Sequence, residues 1–164
     1  MTIVATDLRR VLGTFATGVT VVTCRIGART HGITVNSFTS LSLNPPLVLI
    51  CIDRNTIAYT MIPESGFFTI NVLNEDQRQL CDYFAKRLAP DPSDEFAGIP
   101  HHITESGALL VDGALASIEC RLTERFPGGD HEIFIGEVLT AAILSDGAPL
   151  IFHRGRFPRL APPA

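Results

Sequence analysis

Gly32-Ile-Thr-Val-Asn-Ser-Phe-Thr-Ser-Leu-Ser-Leu-Asn-Pro-Pro46, followed directly by Leu47-Val-Leu-Ile-Cys-Ile52, is the stretch on which the fold turns. Ser37 to Leu43 alternates with period two, placing Ser37, Thr39 and Leu41 on one side and Phe38, Ser40 and Ser42 on the other. Only a strand sends successive side chains to opposite faces, so this is a strand with hydroxyls on both. Asn44-Pro45-Pro46 breaks it, because proline has no N–H to give a ladder. Leu47 to Ile52 is a continuous apolar run between turn residues, which predicts a central strand covered on both faces.

Working outward, Thr6 reads as a helix N-cap before Asp7, and Leu8, Val11, Leu12 and Phe15 recur at helical spacing up to Gly18. Val19 to Cys24 and His31 to Val35 read as a hairpin turning at Gly27. Past the central strand, Asn55 is placed to cap a short helix through Met61, and Phe67 to Val72 reads as a strand. Asn74 and Gln77 have capping-box spacing ahead of a helix through Phe84. Lys86 to Pro100 is rich in Pro and Asp without periodicity, a surface loop of the kind that serves as a lid. Strands return over Ala114 to Arg125 and His131 to Leu144, joined by Pro127-Gly128-Gly129-Asp130, and again at Leu150 to Phe152. Short helices beside many strands joined by tight turns fit an antiparallel barrel with peripheral helices better than a doubly wound sheet.

The 164 residues are enough for one domain with its own core, and 1–164 reads as a single domain. The chain is 46% hydrophobic and 18% charged, which excludes disorder, and so much apolar surface in a short chain points to a subunit interface. A net charge of −4 argues against a nucleic-acid partner, whose phosphates need clustered Lys and Arg. The four cysteines, Cys24, Cys51, Cys81 and Cys120, show no C-x-x-C spacing, so no zinc site or redox dithiol is indicated. The N-terminus lacks the basic start and apolar stretch of a signal peptide, and no apolar run approaches the ~20 residues of a membrane span. A soluble protein of the reducing cytoplasm is expected.

Four groups of residues could carry chemistry. Thr34, Asn36, Ser37, Thr39, Ser40 and Ser42 are a dense set of small neutral groups, suited to a ribityl chain, a phosphate or the edge of a flavin ring without burying a charge. A Ser/Thr-rich edge strand facing water fits the same pattern. Asp53-Arg54-Asn55-Thr56 opens a helix where N–H groups and a guanidinium can meet a phosphate, or simply meet water. Gly128-Gly129-Asp130-His131 sets a histidine beside glycines that allow close approach of a ligand, or forms an ordinary hairpin tip. His153-Arg154-Gly155-Arg156-Phe157 offers two guanidiniums beside an aromatic, for a pyrophosphate or as a basic surface strand. His101-His102 read as surface residues rather than metal ligands. No G-x-G-x-x-G follows a strand, so nicotinamide use would not run through a Rossmann domain.

Taken in order, Phe15-Ala-Thr-Gly-Val-Thr-Val-Val-Thr23, Gly32 to Pro46, Phe68-Thr-Ile-Asn-Val-Leu73, Phe84-Ala85, Gly129-Asp-His131 and Arg154-Gly-Arg-Phe157 resemble the short-chain flavin reductases. These are the reductase components of two-component flavin monooxygenases, in the FMN-binding split-barrel superfamily. The resemblance covers nearly the whole chain and rests on the ordered combination rather than on any single motif. It implies a mainly β Greek-key split barrel, a homodimer with FMN or FAD near the subunit interface, and NADH or NADPH over the flavin ring. By the same resemblance Thr34, Asn36, Ser37, Ser40 and Ser42 line the flavin, with Cys51, Ile52 and Asp53 along its ring edge. Arg54, Asn55 and Thr56 lie toward its phosphate, and Phe84 and Ala85 make a further contact. Gly129, Asp130 and His131 belong to the nicotinamide side, with His131 as the catalytic candidate, and Arg154, Gly155 and Arg156 to the dinucleotide. His153 stands where an aromatic is commoner. The implied reaction is hydride transfer by proximity, with reduced flavin diffusing to a partner monooxygenase. Two other readings have the same barrel: a non-catalytic flavin- or haem-binding protein, and an oxidase of pyridoxamine phosphate, which would call for more basic phosphate ligands than this lysine-poor chain has.

Overall fold

The structure is a computed structural model and describes residues 3–86 and 95–161, with the side chain of Lys86 left out. Much of the loop expected over Lys86 to Pro100 therefore lies outside the described residues. The elements run α1 (Ala5–Leu12), β1 (Thr17–Gly18), β2 (Thr20–Ile26), β3 (Arg29–Val35), β4 (Phe38–Leu43) and β5 (Pro46–Asp53). Then come α2 (Ile57–Ser65), β6 (Phe67–Val72), α3 (Arg78–Lys86), β7 (His101–Ile103), β8 (Leu109–Val111), β9 (Ala116–Gly128), β10 (His131–Ile143) and β11 (Ile151–Phe152). Seven strands form one antiparallel sheet in the order β3-β2-β6-β9-β10-β5-β4. β3 comes close to β5 without pairing, so the sheet curls into a barrel left split along that seam. The mainly β antiparallel architecture expected from the sequence is the one observed.

β5 is not covered on both faces, whereas β2 and β6 are. In β2, Thr20 to Cys24 are all buried, and the two faces feed two different cores. Val22 and Cys24 face the barrel interior with Ile50, Ile52, Phe68, Ile70 and Phe134, closed at one end by Ala58, Met61 and Ile62 of α2. Val19 and Val21 face a second core under α3 with Leu73, Phe84, Phe96 and Leu109. The hydroxyls on this doubly covered strand are paired: Thr20 donates to the Val35 carbonyl at 2.7 Å and Thr23 to that of Leu109 at 2.6 Å. Paired hydroxyls let threonine occupy a dry strand without the cost of an unmet donor. β5, in contrast, lies next to the edge strand β4 and alternates, with Val48, Ile50 and Ile52 buried and Leu47, Leu49, Cys51 and Asp53 half-buried on the other face.

Where α3 crosses β3, the Phe84 ring lies against Gly32 so closely that a Cβ there would meet ring carbon Cε1 at 2.5 Å. Phe84 is thus a core residue and not a wall of an open site. Helix boundaries also differ from expectation. α1 begins after Val4, with no side-chain cap from Thr6, and ends at Gly13, where Thr14 folds back on the Val11 carbonyl. Gly18 belongs to β1. Thr56 rather than Asn55 caps α2, accepting from the N–H of Tyr59, while Asn55 turns back to Asp53. α2 continues past Met61 to Ser65, because Pro63 sits within the last turn before the left-handed cap Gly66 and removes only one helical bond. The Asn74–Gln77 capping box is present, on a short 3₁₀ turn that leads into α3.

Candidate functional site: the outer face of β4, β5 and β10

Antiparallel register puts cross-strand partners on the same face of a sheet. On β10 and β5, His131 pairs with Asp53, Ile133 with Cys51 and Ile135 with Leu49, and Leu49 pairs onward with Thr39 of β4. These side chains form one accessible surface. Their alternates Phe134, Ile50 and Ile52 are buried in the barrel. Of the expected ring-edge residues, Cys51 and Asp53 therefore present side chains to the outer face, whereas Ile52, 1% exposed, can offer only its backbone there.

Ser37, just before β4, grips this row: its hydroxyl donates to the Cys51 carbonyl at 2.9 Å and accepts from the Cys51 N–H at 3.3 Å. Beside it opens a cleft of about 1690 Å³ lined by Asn36, Ser37, Phe38 and Thr39, by Thr14 to Thr20, and by Phe152, Arg154 and Gly155. It brings together the expected Asn36, Ser37, Arg154 and Gly155. The remaining expected residues lie elsewhere. Thr34 donates to the Cys81 carbonyl of α3 at 2.7 Å, and Ser42 accepts from the N–H of Asn44 and shapes the turn. Ser40 pairs with Val48 ahead of a bulge, and Ala85 is exposed on α3. Arg156 stands exposed beyond the tight turn it closes with His153.

That turn is strained in a way that places a guanidinium. Arg154 has φ of 50° and Gly155 of 73°, and the Arg154 N–H donates to the Gly13 carbonyl at 2.8 Å. A non-glycine residue held left-handed needs such an anchor. At the other end of the outer face, the Asp53–Thr56 turn meets the β9–β10 hairpin tip, the Arg54 N–H donating to the Asp130 carbonyl at 3.1 Å. Asp130 in turn holds His131, Oδ1 to Nδ1 at 2.8 Å, which leaves Nε2 for a ligand. The hydrogen bond and charge of His131 keep the Asp130 carboxyl below its ordinary range. Burial pushes the Cys51 thiol up, partly offset by Ser37.

Residues that sequence reading did not single out as site residues also shape this region. Thr17, Phe152, Arg9 and Arg10 border the cleft. Away from this region, His31 of β3 and Glu95 form a buried pair at 2.6 Å between Nδ1 and Oε2. Nothing in local spacing signals contacts across such sequence separations. No cluster of His, Cys, Asp or Glu among the described residues could hold a metal ion, and His102 pairs with Asp112 on the surface.

The outer sheet face thus presents small neutral polar groups, with a histidine at one end and a cleft bordered by Arg154 beside the other. The flavin reductase like domain family matches residues 12–161, and the chain belongs to that family. It is 43% identical over 159 residues to an NADH-dependent FAD reductase of Streptomyces globisporus, covering 96% of this chain and 87% of that protein. It is 39% identical over 154 residues to the HsaB reductase subunit of a flavin-dependent monooxygenase of Rhodococcus jostii, covering 94% and 77%. The structure of the Streptomyces globisporus NADH:FAD oxidoreductase SgcE6 in complex with NAD and FAD fragments superposes with a TM-score of 0.89 at 40% identity, over 97% of this chain and 94% of that one. The fold is thus the split barrel of the flavin reductases, and the chain is an oxidoreductase of that class.

Proposed function

We propose that this chain oxidises NADH, or NADPH, at the expense of FMN or FAD and releases reduced flavin to a partner monooxygenase. The observation that carries the reading is the continuous outer face from Ser37 through Cys51 to Asp53 and His131, flanked by the cleft. Its neutral polar groups suit the ligand, since hydroxyl oxygens, an amide and backbone groups can match the polar edge of a flavin ring while the half-buried Leu49, Ile133 and Ile135 meet its flat face. When bound together, nicotinamide and flavin supply the hydride chemistry between themselves. The chain's own residues bind and align. Ser37 holds the β5 edge in place, and Arg54 with the N-terminus of α2 receives a phosphate. Asp130 presents the free Nε2 of His131 toward a carboxamide. Arg154 meets an anionic tail at the mouth of the cleft.

Residues 1–164 act as one domain in this reading, and the working form is a homodimer. Leu8, Val11, Leu12 and Phe15 of α1 and its C-terminal turn are 41% to 76% exposed, an apolar stripe beside the cleft that a second copy would cover. Four free cysteines suit a reducing cytoplasm. No helix among the described residues is long and apolar enough to cross a membrane. The testing experiment is NADH and NADPH oxidation at 340 nm with and without FMN, FAD or riboflavin. Flavin-dependent turnover is expected, and its absence with flavin bound would favour a non-catalytic flavin-binding protein.

A further inference from the structure

The hairpin that carries His131 ends in Gly129 and Asp130, both exposed, so little apolar packing holds its tip. Immediately behind it, on the barrel side of β10, the Glu132 side chain is only 12% exposed. Its Oε1 lies 2.6 Å from Arg125 Nε on β9, and its Oε2 lies 3.7 Å from Arg54 Nε in the turn after β5. The Arg125 guanidinium in turn lies 5.4 Å from the ring centre of Tyr59 and 5.2 Å from that of Phe134. One mostly buried carboxylate therefore stands between two half-buried guanidiniums. Burying charge costs stability unless it is paired, and removing the shared partner would leave two cations facing each other. Such a group is better explained by what it holds in place than by the stability it adds.

What it holds is the junction of the two ligand-facing segments. Arg125 belongs to the hairpin, Arg54 to the Asp53–Thr56 turn, and the Arg54 N–H to Asp130 carbonyl bond joins the same two segments a second time. Glu132 shares the barrel face with Ile52 and Phe134, opposite the face that carries His131, so it does not meet a ligand bound there. We propose that Glu132 is a positioning residue for His131: by gripping Arg125 and Arg54 together, it sets how the hairpin tip stands over the outer face. The inference rests on the reading of His131 given above. Alignment dominates a proximity-driven transfer, where a 1 Å misplacement costs on the order of a hundredfold.

The test is kcat/KM for NADH at saturating FMN in the full chain, with Glu132→Gln, His131→Ala and the double variant. Glu132→Gln is expected to lower kcat/KM about tenfold and to change nothing further once His131 is alanine. Asp82→Asn, which breaks the exposed ion pair with Arg78 on α3, is the control and should leave kcat/KM unchanged. An unaltered kcat/KM in Glu132→Gln overturns the inference, as does a loss of equal size in the His131→Ala background. If Glu132→Gln does not fold, Glu132→Asp keeps the charge but falls one methylene short of spanning both guanidiniums, and the same comparison decides. A wild type without flavin-dependent oxidation refutes the proposed function itself. An active wild type, an impaired His131→Ala and a normal Glu132→Gln refute only the role of Glu132.

Discussion

Ser37 and Cys51 are joined by a two-way hydrogen bond in which one hydroxyl both donates to and accepts from the same residue's backbone. The side chain thereby takes the place of a main-chain ladder partner one residue before β4 begins. Its only proton is committed to the Cys51 carbonyl, so a ligand reaching Ser37 Oγ meets an acceptor. Ser37→Ala should lower unfolding free energy by about 1 kcal/mol, the usual net worth of a hydrogen bond, and raise the flavin Kd. Urea titration and quenching of flavin fluorescence measure the two effects, and an unchanged Kd would show that the grip on β5 does not matter to binding.

Gly136 stands where β10 passes over Phe68 and Cys120. An added Cβ would lie 2.5 Å from Phe68 Cζ and 2.8 Å from Cys120 Cβ, and none of these atoms is the end of a flexible chain. Gly136→Ala should cost about 1–3 kcal/mol, as overpacked cores do. Denaturant midpoints would show it, and a midpoint equal to that of the wild type would mean that the barrel interior yields more easily than its packing implies.

Burial pushes the Cys24 and Cys120 thiols up to about 12, with Glu95 and Glu119 respectively adding to the effect. The neutral thiol is the form the fold favours. The stability it supplies is whole below the ordinary thiol range and is lost as pH rises from there toward about 12. At pH 8 neither should react with Ellman's reagent in the folded state. Cys51, half-buried on the outer face, should react slowly, and more slowly still with FMN bound. Mass mapping of alkylated peptides would distinguish the sites, and fast labelling of Cys24 or Cys120 would contradict the burial.

The Asp130 carboxyl is depressed first by its hydrogen bond to His131 and then by that residue's charge. A carboxylate lowered on folding favours the folded arrangement above its unfolded value and ceases to do so as pH falls through the folded one. The Asp130–His131 contact should therefore open only in acid below the normal carboxylate range. A carbon-detected NMR titration should place the Asp130 midpoint below about 3.9 and return it toward that value in His131→Ala.

Strands with strong local signals were legible in the sequence. Phe67–Val72 matches at both ends, and the glycine-rich turn before His131 divides two long strands as expected. The hairpin β7–β8 was not legible, because two strands of three residues each are too short for alternation to register. The run Leu47 to Ile52 reads as covered on both faces because apolar content alone cannot tell a doubly covered strand from one whose second face is half-buried. β2 reads as a hairpin strand over Val19 to Cys24, but its threonines give no sign that both faces are covered, because that depends on distant carbonyls that pair their hydroxyls. The placement of candidate residues follows from the sequence where backbone sets it, as with Asp53 and His131, which meet across one register. It does not follow where a side chain's use depends on distant partners, as with Thr34, Phe84 and Glu132.

The contact between Gly32 and Phe84 has a consequence for how such chains diverge. Because no Cβ fits beneath the ring, the spacing of α3 above the sheet is set jointly by the smallest residue on one element and a large flat one on the other. Neither position is free to vary alone: a larger residue at 32 demands a smaller one at 84, and a smaller one at 84 leaves a void that only a larger residue at 32 can fill. Among relatives, the two sites should therefore be inherited as a matched pair, although 52 positions apart in the chain.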